Sequence, residues 1–156
     1  MNILNLILYC DGIESIIPGI LVKTLKVFAI SLQFEFNYLV RSNMSTEINF
    51  DLMQKYLMTH KMKYGGSQIY MVNKLDPPYG IYDDRYKGTK YVQGTGIIMD
   101  RNLLEQIVQK KDEFDYNVID DVSIGLFCNT HQIYPEHLLA GYKKVENFKT
   151  HIDNIL

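Results

Sequence analysis

Between two short apolar runs of β type, residues 2–9 and 37–42, lies a stripe of helical spacing. Ile17, Leu21, Leu25, Phe28 and Leu32 recur at intervals of three and four. A helix apolar on one face must lie against another layer, and the flanking runs supply a sheet for it to cover. Pro18 lacks a backbone N–H and is tolerated only in the first turn, so the helix is expected to begin near residues 15–17. This β-type run, amphipathic helix and second β-type run confine the chain to α/β architectures.

The rest of the pattern agrees. A polar turn is expected at 44–47, then a helix at 50–60 with Leu52, Met53, Tyr56 and Leu57 on one face. Gly65 and Gly66 mark a break at 61–66, and a strand follows at 67–72. Residues 73–94 read as a long tyrosine-rich loop, and loops of that length are usually functional or mobile. A strand at 95–99 leads into a helix at 103–110, with Asp100 or Asn102 as its cap. Residues 112–117 form a loop, and 118–128 opens as a turn and becomes a helix. The remainder alternates short apolar pieces with His131, His137 and His151. The 156 residues show no repeat or linker and suit one domain, 1–156.

Sixteen basic against eighteen acidic residues leave a net charge of -2, without the basic excess of a phosphate-neutralising protein. No nucleic-acid partner is expected. Lys23 and Lys26 interrupt the longest apolar stretch, and residues 1–10 have no basic n-region. Neither a membrane span nor a signal peptide is expected, which favours the cytoplasm. Cys10 and Cys128 make no disulfide framework and read as free thiols. Eighteen Ile, thirteen Lys and eleven Asn against two Ala have the codon bias of an AT-rich, viral-type genome.

Among the acidic pairs, Asp120-Asp121 stands apart because it lies between Val118-Ile119 and Val122, directly before a helical pattern. Carboxylates at a helix start feel the positive end of its dipole, and an ionised one can act as a general base. The alternative is a simple N-cap. Gly94 and Gly96 flank Thr95 at a strand entrance, either for close approach of a ligand to the backbone or for a bulge. Tyr79, Tyr82, Tyr86 and Tyr91 offer flat faces for a sugar ring, or packing for their loop. Cys128 and His131, three apart, are two ligands at most and read as structural. No Walker A, HExxH, GxSxG or EF-hand pattern occurs.

Taken together, Tyr91-Val-Gln-Gly-Thr-Gly-Ile-Ile-Met-Asp-Arg-Asn-Leu103 and Ile119-Asp-Asp-Val-Ser-Ile-Gly125 resemble the C-terminal half of family 31 glycosyltransferases. These are the β-1,3-galactosyltransferase and fringe type, with the pattern Tyr-x-x-Gly-x-Gly-Tyr-x-x-Ser and then (Glu or Asp)-Asp-Val-x-x-Gly. Pro77-Pro78-Tyr79 suits the acceptor-side region upstream. Leu21-Val-Lys-Thr-Leu25 and Tyr38-Leu-Val-Arg-Ser-Asn-Met-Ser-Thr46 match more faintly. Phe148-Lys-Thr-His-Ile-Asp-Asn154 is similar to a fringe-type segment.

The resemblance implies a GT-A-like mixed sheet flanked by helices, with the N-terminal nucleotide-binding unit shortened. A missing N-terminal segment or a partner subunit would then complete it. It implies inverting transfer from a uridine-diphosphate sugar to a carbohydrate or glycoprotein hydroxyl, a hexosyltransferase activity. Asp121 falls on the catalytic base, and Asp120 is its neighbour and the second candidate. Tyr91, Gly94, Thr95 and Gly96 fall beside the sugar nucleotide. His151 falls on the metal-binding histidine, for Mn2+. Arg41, Asn43 and Ser45 occupy the stretch where the family carries its aspartate motif. No carboxylate stands there, so Arg41 is expected to offset diphosphate charge instead. The alternatives are a catalytically inactive carbohydrate- or nucleotide-binding relative, and an unrelated α/β interaction module.

Overall fold

The helical stripe forms α1 (Gly19–Ser31), which buries Leu21, Thr24, Leu25 and Phe28. It starts later than the spacing predicts. Pro18 is the N-cap rather than a first-turn residue, and the preceding bend is tied by Ser15. The Ser15 Oγ accepts the Gly19 N–H at 3.1 Å, and its carbonyl accepts the Ile20 N–H at 3.1 Å. The computed structural model describes residues 12–43, 46–138 and the backbone of 142–144. The strand expected at 2–9, Cys10 and the tail bearing His151 lie outside the described residues.

After α1 come β1 (Tyr38–Arg41), β2 (Thr46–Ile48), α2 (Phe50–Thr59), β3 (Tyr64–Gly66), β4 (Ile69–Met71), β5 (Lys90–Val92) and β6 (Ile97–Asp100). α3 (Arg101–Gln109), α4 (Asp120–Thr130), β7 (Glu136–His137) and β8 (Tyr142–Lys144) complete the order. A four-stranded sheet runs β1-β6-β3-β7. β6 is antiparallel to both β1 and β3, whereas β3 and β7 are parallel. The sheet is therefore mixed, as expected. Two smaller antiparallel pairs are β2–β8 and β4–β5.

Side-chain alternation on β6 divides the core. Ile97 and Met99 point towards α1, α3 and α4, where they join Leu21, Phe28, Leu104 and Ile124. Ile98 points the other way and joins Met53 and Leu57 of α2, with Met62 and Leu138. A third cluster of Val72, Ile81, Tyr86, Val118 and Val122 lies beneath the tyrosine-rich segment. Among the described residues, no helix is long and apolar enough to cross a membrane.

Three local expectations are corrected. The glycine pair does not break the chain; Tyr64-Gly65-Gly66 is a fully buried strand inside the sheet. A Cβ at Gly66 would collide with the carbonyl oxygen of Gly96, and one at Gly65 with that of Glu136, so only glycine fits here. The expected turn at 44–47 overlaps β2, whose register is set by the distant β8. Residues 73–94 are not loop throughout: 3-10 turns at Pro77–Tyr79 and Asp84–Tyr86 precede β5. Of the two caps offered for α3, Asp100 serves: its Oδ1 accepts the Leu103 N–H at 2.7 Å.

Candidate functional site

α4 begins at Asp120 with Ile119 as its N-cap residue, so neither Asp120 nor Asp121 caps the helix. Both carboxylates stand in the first turn, at the positive end of the helix, and both are buried. Asp121 Oδ1 accepts the Val122 N–H at 2.9 Å. Its Oδ2 accepts the Gly94 N–H at 3.3 Å. Burial and the neighbouring Asp120 charge push the Asp121 carboxyl up to about 6, against the pull of those two N–H groups and of Arg41.

Asp120 has a different partner. Its Oδ2 lies 2.6 Å from Arg41 Nη2 at the end of β1, and its side chain is only 5% exposed. The contact is an ion pair without good hydrogen-bond alignment. Arg41 Nη1 is buried and has no acceptor among the described residues. It lies across Gly94, where an added Cβ would come within 2.6 Å of it. Gly94 thus lets the guanidinium and the Asp121 carboxylate approach the same piece of backbone.

A second glycine sets the opposite wall. A Cβ at Gly125 would meet Tyr91 Cβ at 2.5 Å and the Lys90 carbonyl oxygen at 2.8 Å. Without one, β5 presses onto α4, and Asn129 Nδ2 donates to the Lys90 carbonyl at 2.7 Å. That contact brings Tyr91 beside the acidic turn. The Tyr91 hydroxyl is held above its usual range by burial first, then by Asp121, Tyr70, Asp76 and Tyr79. Tyr70 and Tyr91 stand with ring centroids 6.0 Å apart and planes tilted by 34°. The Tyr79 carbonyl accepts the Ile119 N–H at 3.0 Å. Gly80 turns the chain there with φ 79, the left-handed region, against Asn117.

These groups line one open cleft of about 390 Å³. Asp120, Asp121 and Gly94 lie deep in it. Tyr70, Tyr79 and Tyr91 are its aromatic walls. Arg41 and Asn43 approach from β1, and Ile20, Asp76, Gln93, Ile119 and Val122 complete the lining.

Seven of the residues singled out from sequence therefore meet: Asp121, Asp120, Gly94, Tyr79, Tyr91, Arg41 and Asn43. Thr95 and Gly96 are not in the lining. Gly96 is buried with its carbonyl against Gly66, and the Thr95 hydroxyl reaches only the Gln93 side chain. Tyr82 is exposed and outside the cleft. Tyr86 is a core residue whose hydroxyl donates to Asp115 Oδ2 at 2.8 Å. Tyr70, Asp76 and Gln93 escaped the sequence reading. Tyr70 was hidden as an outward residue of a strand, although a tyrosine on the polar side of a β run is a usable signal.

The metal expectation rests on residues beyond this site. His151 and Ser45 lie outside the described residues. Among the described residues, no three His, Cys, Asp or Glu side chains gather to hold an ion. In the cleft itself, Asp120 is already committed to Arg41. With His151 outside the described residues, Mn2+ stays an expectation of the resemblance. Cys128 and His131, three apart in sequence, have separate surroundings. Burial raises the Cys128 thiol far above its usual range. The His131 ring stacks obliquely on Phe127 and pairs with Glu113 at 2.8 Å.

No protein-family model matches the chain, and no curated protein matches it.

Proposed function

We propose that the protein is a glycosyltransferase-like protein of GT-A type, similar to family 31, whose cleft seats a hydroxyl-bearing acceptor. Asp121 supports this reading most directly. It is a buried carboxyl, poised at about 6 rather than near 4, and it lines an open cleft. A base of that strength is largely ionised at neutral pH yet basic enough to take a proton as an oxygen attacks.

In the proposed step, the acceptor O–H proton passes to Asp121 as the oxygen attacks the anomeric carbon of a uridine-diphosphate sugar. The new glycosidic C–O bond forms with inversion. The bond from the anomeric carbon to the diphosphate breaks, and the electron pair leaves with the diphosphate. The Gly94 and Val122 N–H groups orient the carboxylate. Tyr70, Tyr79 and Tyr91 offer apolar faces for a pyranose ring, with hydroxyls for its polar edge. Arg41 is the one cationic side chain in the described lining. It is the group that would face a diphosphate, with its charge partly offset by Asp120.

A second reading is a binding protein of the same ancestry without turnover. The Arg41–Asp120 pair favours it, because the one lining cation is already half neutralised. The two readings separate in one experiment. The purified protein is incubated with a panel of uridine-diphosphate sugars and free sugar acceptors, and released UDP and new glycosides are read by mass spectrometry. Transfer that is lost in Asp121→Asn supports the enzyme. Saturable sugar binding with no product supports the binder. Neither binding nor transfer across the panel sinks both.

A further inference from the structure

The charge lining the cleft is unbalanced in a way that bears on its ligand. Asp76, Asp120 and Asp121 stand against the single guanidinium of Arg41, which is taken by Asp120. Two carboxylates are left over. Asp121 at least has two backbone donors. Asp76 has none for its side chain: it precedes the Pro77–Tyr79 turn without capping it, and no cation pairs with it among the described residues. Its own N–H and carbonyl are occupied by Ile81, which fixes the residue's position and leaves the carboxylate free.

Around these carboxylates stand three tyrosines from three separate elements: Tyr70 on β4, Tyr79 on the 3-10 turn and Tyr91 on β5. This surplus of negative charge is bounded by aromatic rings. It attracts a cation with an apolar skin, because the ring faces are electronegative and the carboxylates give long-range pull.

We propose that the cleft recognises an organic ammonium group, seated between Asp76 and the faces of Tyr70, Tyr79 and Tyr91. On the reading of the preceding subsection, and resting on it only to this extent, the group belongs to the acceptor, whose hydroxyl then lies towards Asp121. The acceptor is thereby an amine-bearing alcohol or amino sugar rather than a neutral or acidic glycan. Asp76 is the specificity-determining residue.

The test compares shape-matched probes. Choline and 3,3-dimethylbutan-1-ol have the same outline and hydroxyl but differ by one positive charge, and glucosamine and glucose form a second pair. Binding is followed by NMR titration of the intact protein. The expected result is that choline binds about tenfold more tightly than its neutral counterpart, with shifts centred on the cleft. Asp76→Asn should remove most of that preference, and added salt should weaken it. Tyr70→Leu should weaken choline binding while leaving the Asp76 charge in place. Equal affinity within both pairs, no binding of either cation, or choline shifts away from the cleft would overturn the proposal. Transfer to neutral sugars with no preference for amines would overturn it while leaving the glycosyltransferase reading intact. Ammonium binding without any transfer would do the reverse.

Discussion

Arg41 at the end of β1 and Asp120 in the first turn of α4 form an ion pair at 2.6 Å, joining two elements 79 positions apart in the chain. The carboxylate is almost wholly buried and the guanidinium about three-quarters so. Arg41→Met should therefore leave an uncompensated buried charge and lower stability by about 2–3 kcal/mol. The double variant Arg41→Met with Asp120→Asn should recover most of that loss. Urea unfolding of the three proteins checks this. A single variant as stable as wild type would show that the pair contributes nothing.

Asp121 carries an opposite cost. Its folded-state pKa of about 6 lies above the 3.8 of an unfolded aspartate. The native state thus binds more protons between those values, and stability falls as pH rises from about 4 to about 6. The groups acting on it are Asp120, Arg41 and the Gly94 and Val122 N–H groups, and it in turn raises Tyr91. A shift of this size corresponds to on the order of 3 kcal/mol. Asp121→Asn should flatten that stretch of the stability profile and, less the weakened hydrogen bonds, gain about 1–2 kcal/mol at pH 7.5. An unchanged pH profile would contradict the burial argument.

If transfer occurs, its rate should follow the ionised form of Asp121, rising through about pH 6 to a plateau. Initial rates from pH 5 to pH 8 at saturating substrate provide the measurement. A rate independent of pH across that range would remove the base from this residue.

Gly125→Ala should separate α4 from β5. The new methyl would lie 2.5 Å from Tyr91 Cβ and 2.8 Å from the Lys90 carbonyl oxygen, both anchored to the backbone of β5. The expected loss is about 1–3 kcal/mol. The Tyr91 NMR resonances should shift with it. Wild-type stability and unmoved Tyr91 signals would show that the close approach is not required.

The Asp100 cap is an independent check on α3. Asp100→Ala removes the acceptor of the Leu103 N–H and should cost about 1 kcal/mol. Asn102→Ala should cost much less, because it lies inside the helix and is not the cap. Thermal unfolding of the two variants decides between them.

What could be read from the residues follows the range of the forces involved. The apolar stripe of α1, the Asp100 cap and the acidic first turn of α4 are local patterns, and each lies close to where its sequence puts it. Tyr64-Gly65-Gly66 was illegible because its strand exists only through neighbours: Gly96 and Glu136 demand the glycines that disguise it. β2 likewise owes its form to β8. At the cleft, the block from 91 to 125 located the acid, the glycine and Tyr91, whereas Asp76 and Tyr70 join them only after β4 and β5 pair. Tyr86 went the other way, since no spacing rule reveals that Asp115 would receive its hydroxyl. The GT-A resemblance itself remains a proposal.

The bond from the Ile119 N–H to the Tyr79 carbonyl ties the aromatic turn to the same helix end that carries both aspartates. Rim and floor are thus fastened at one point and take their shape when the chain folds, before anything arrives. A visitor finds its berth already cut and has little left to arrange, so stiff guests should fare better than floppy ones of equal chemistry.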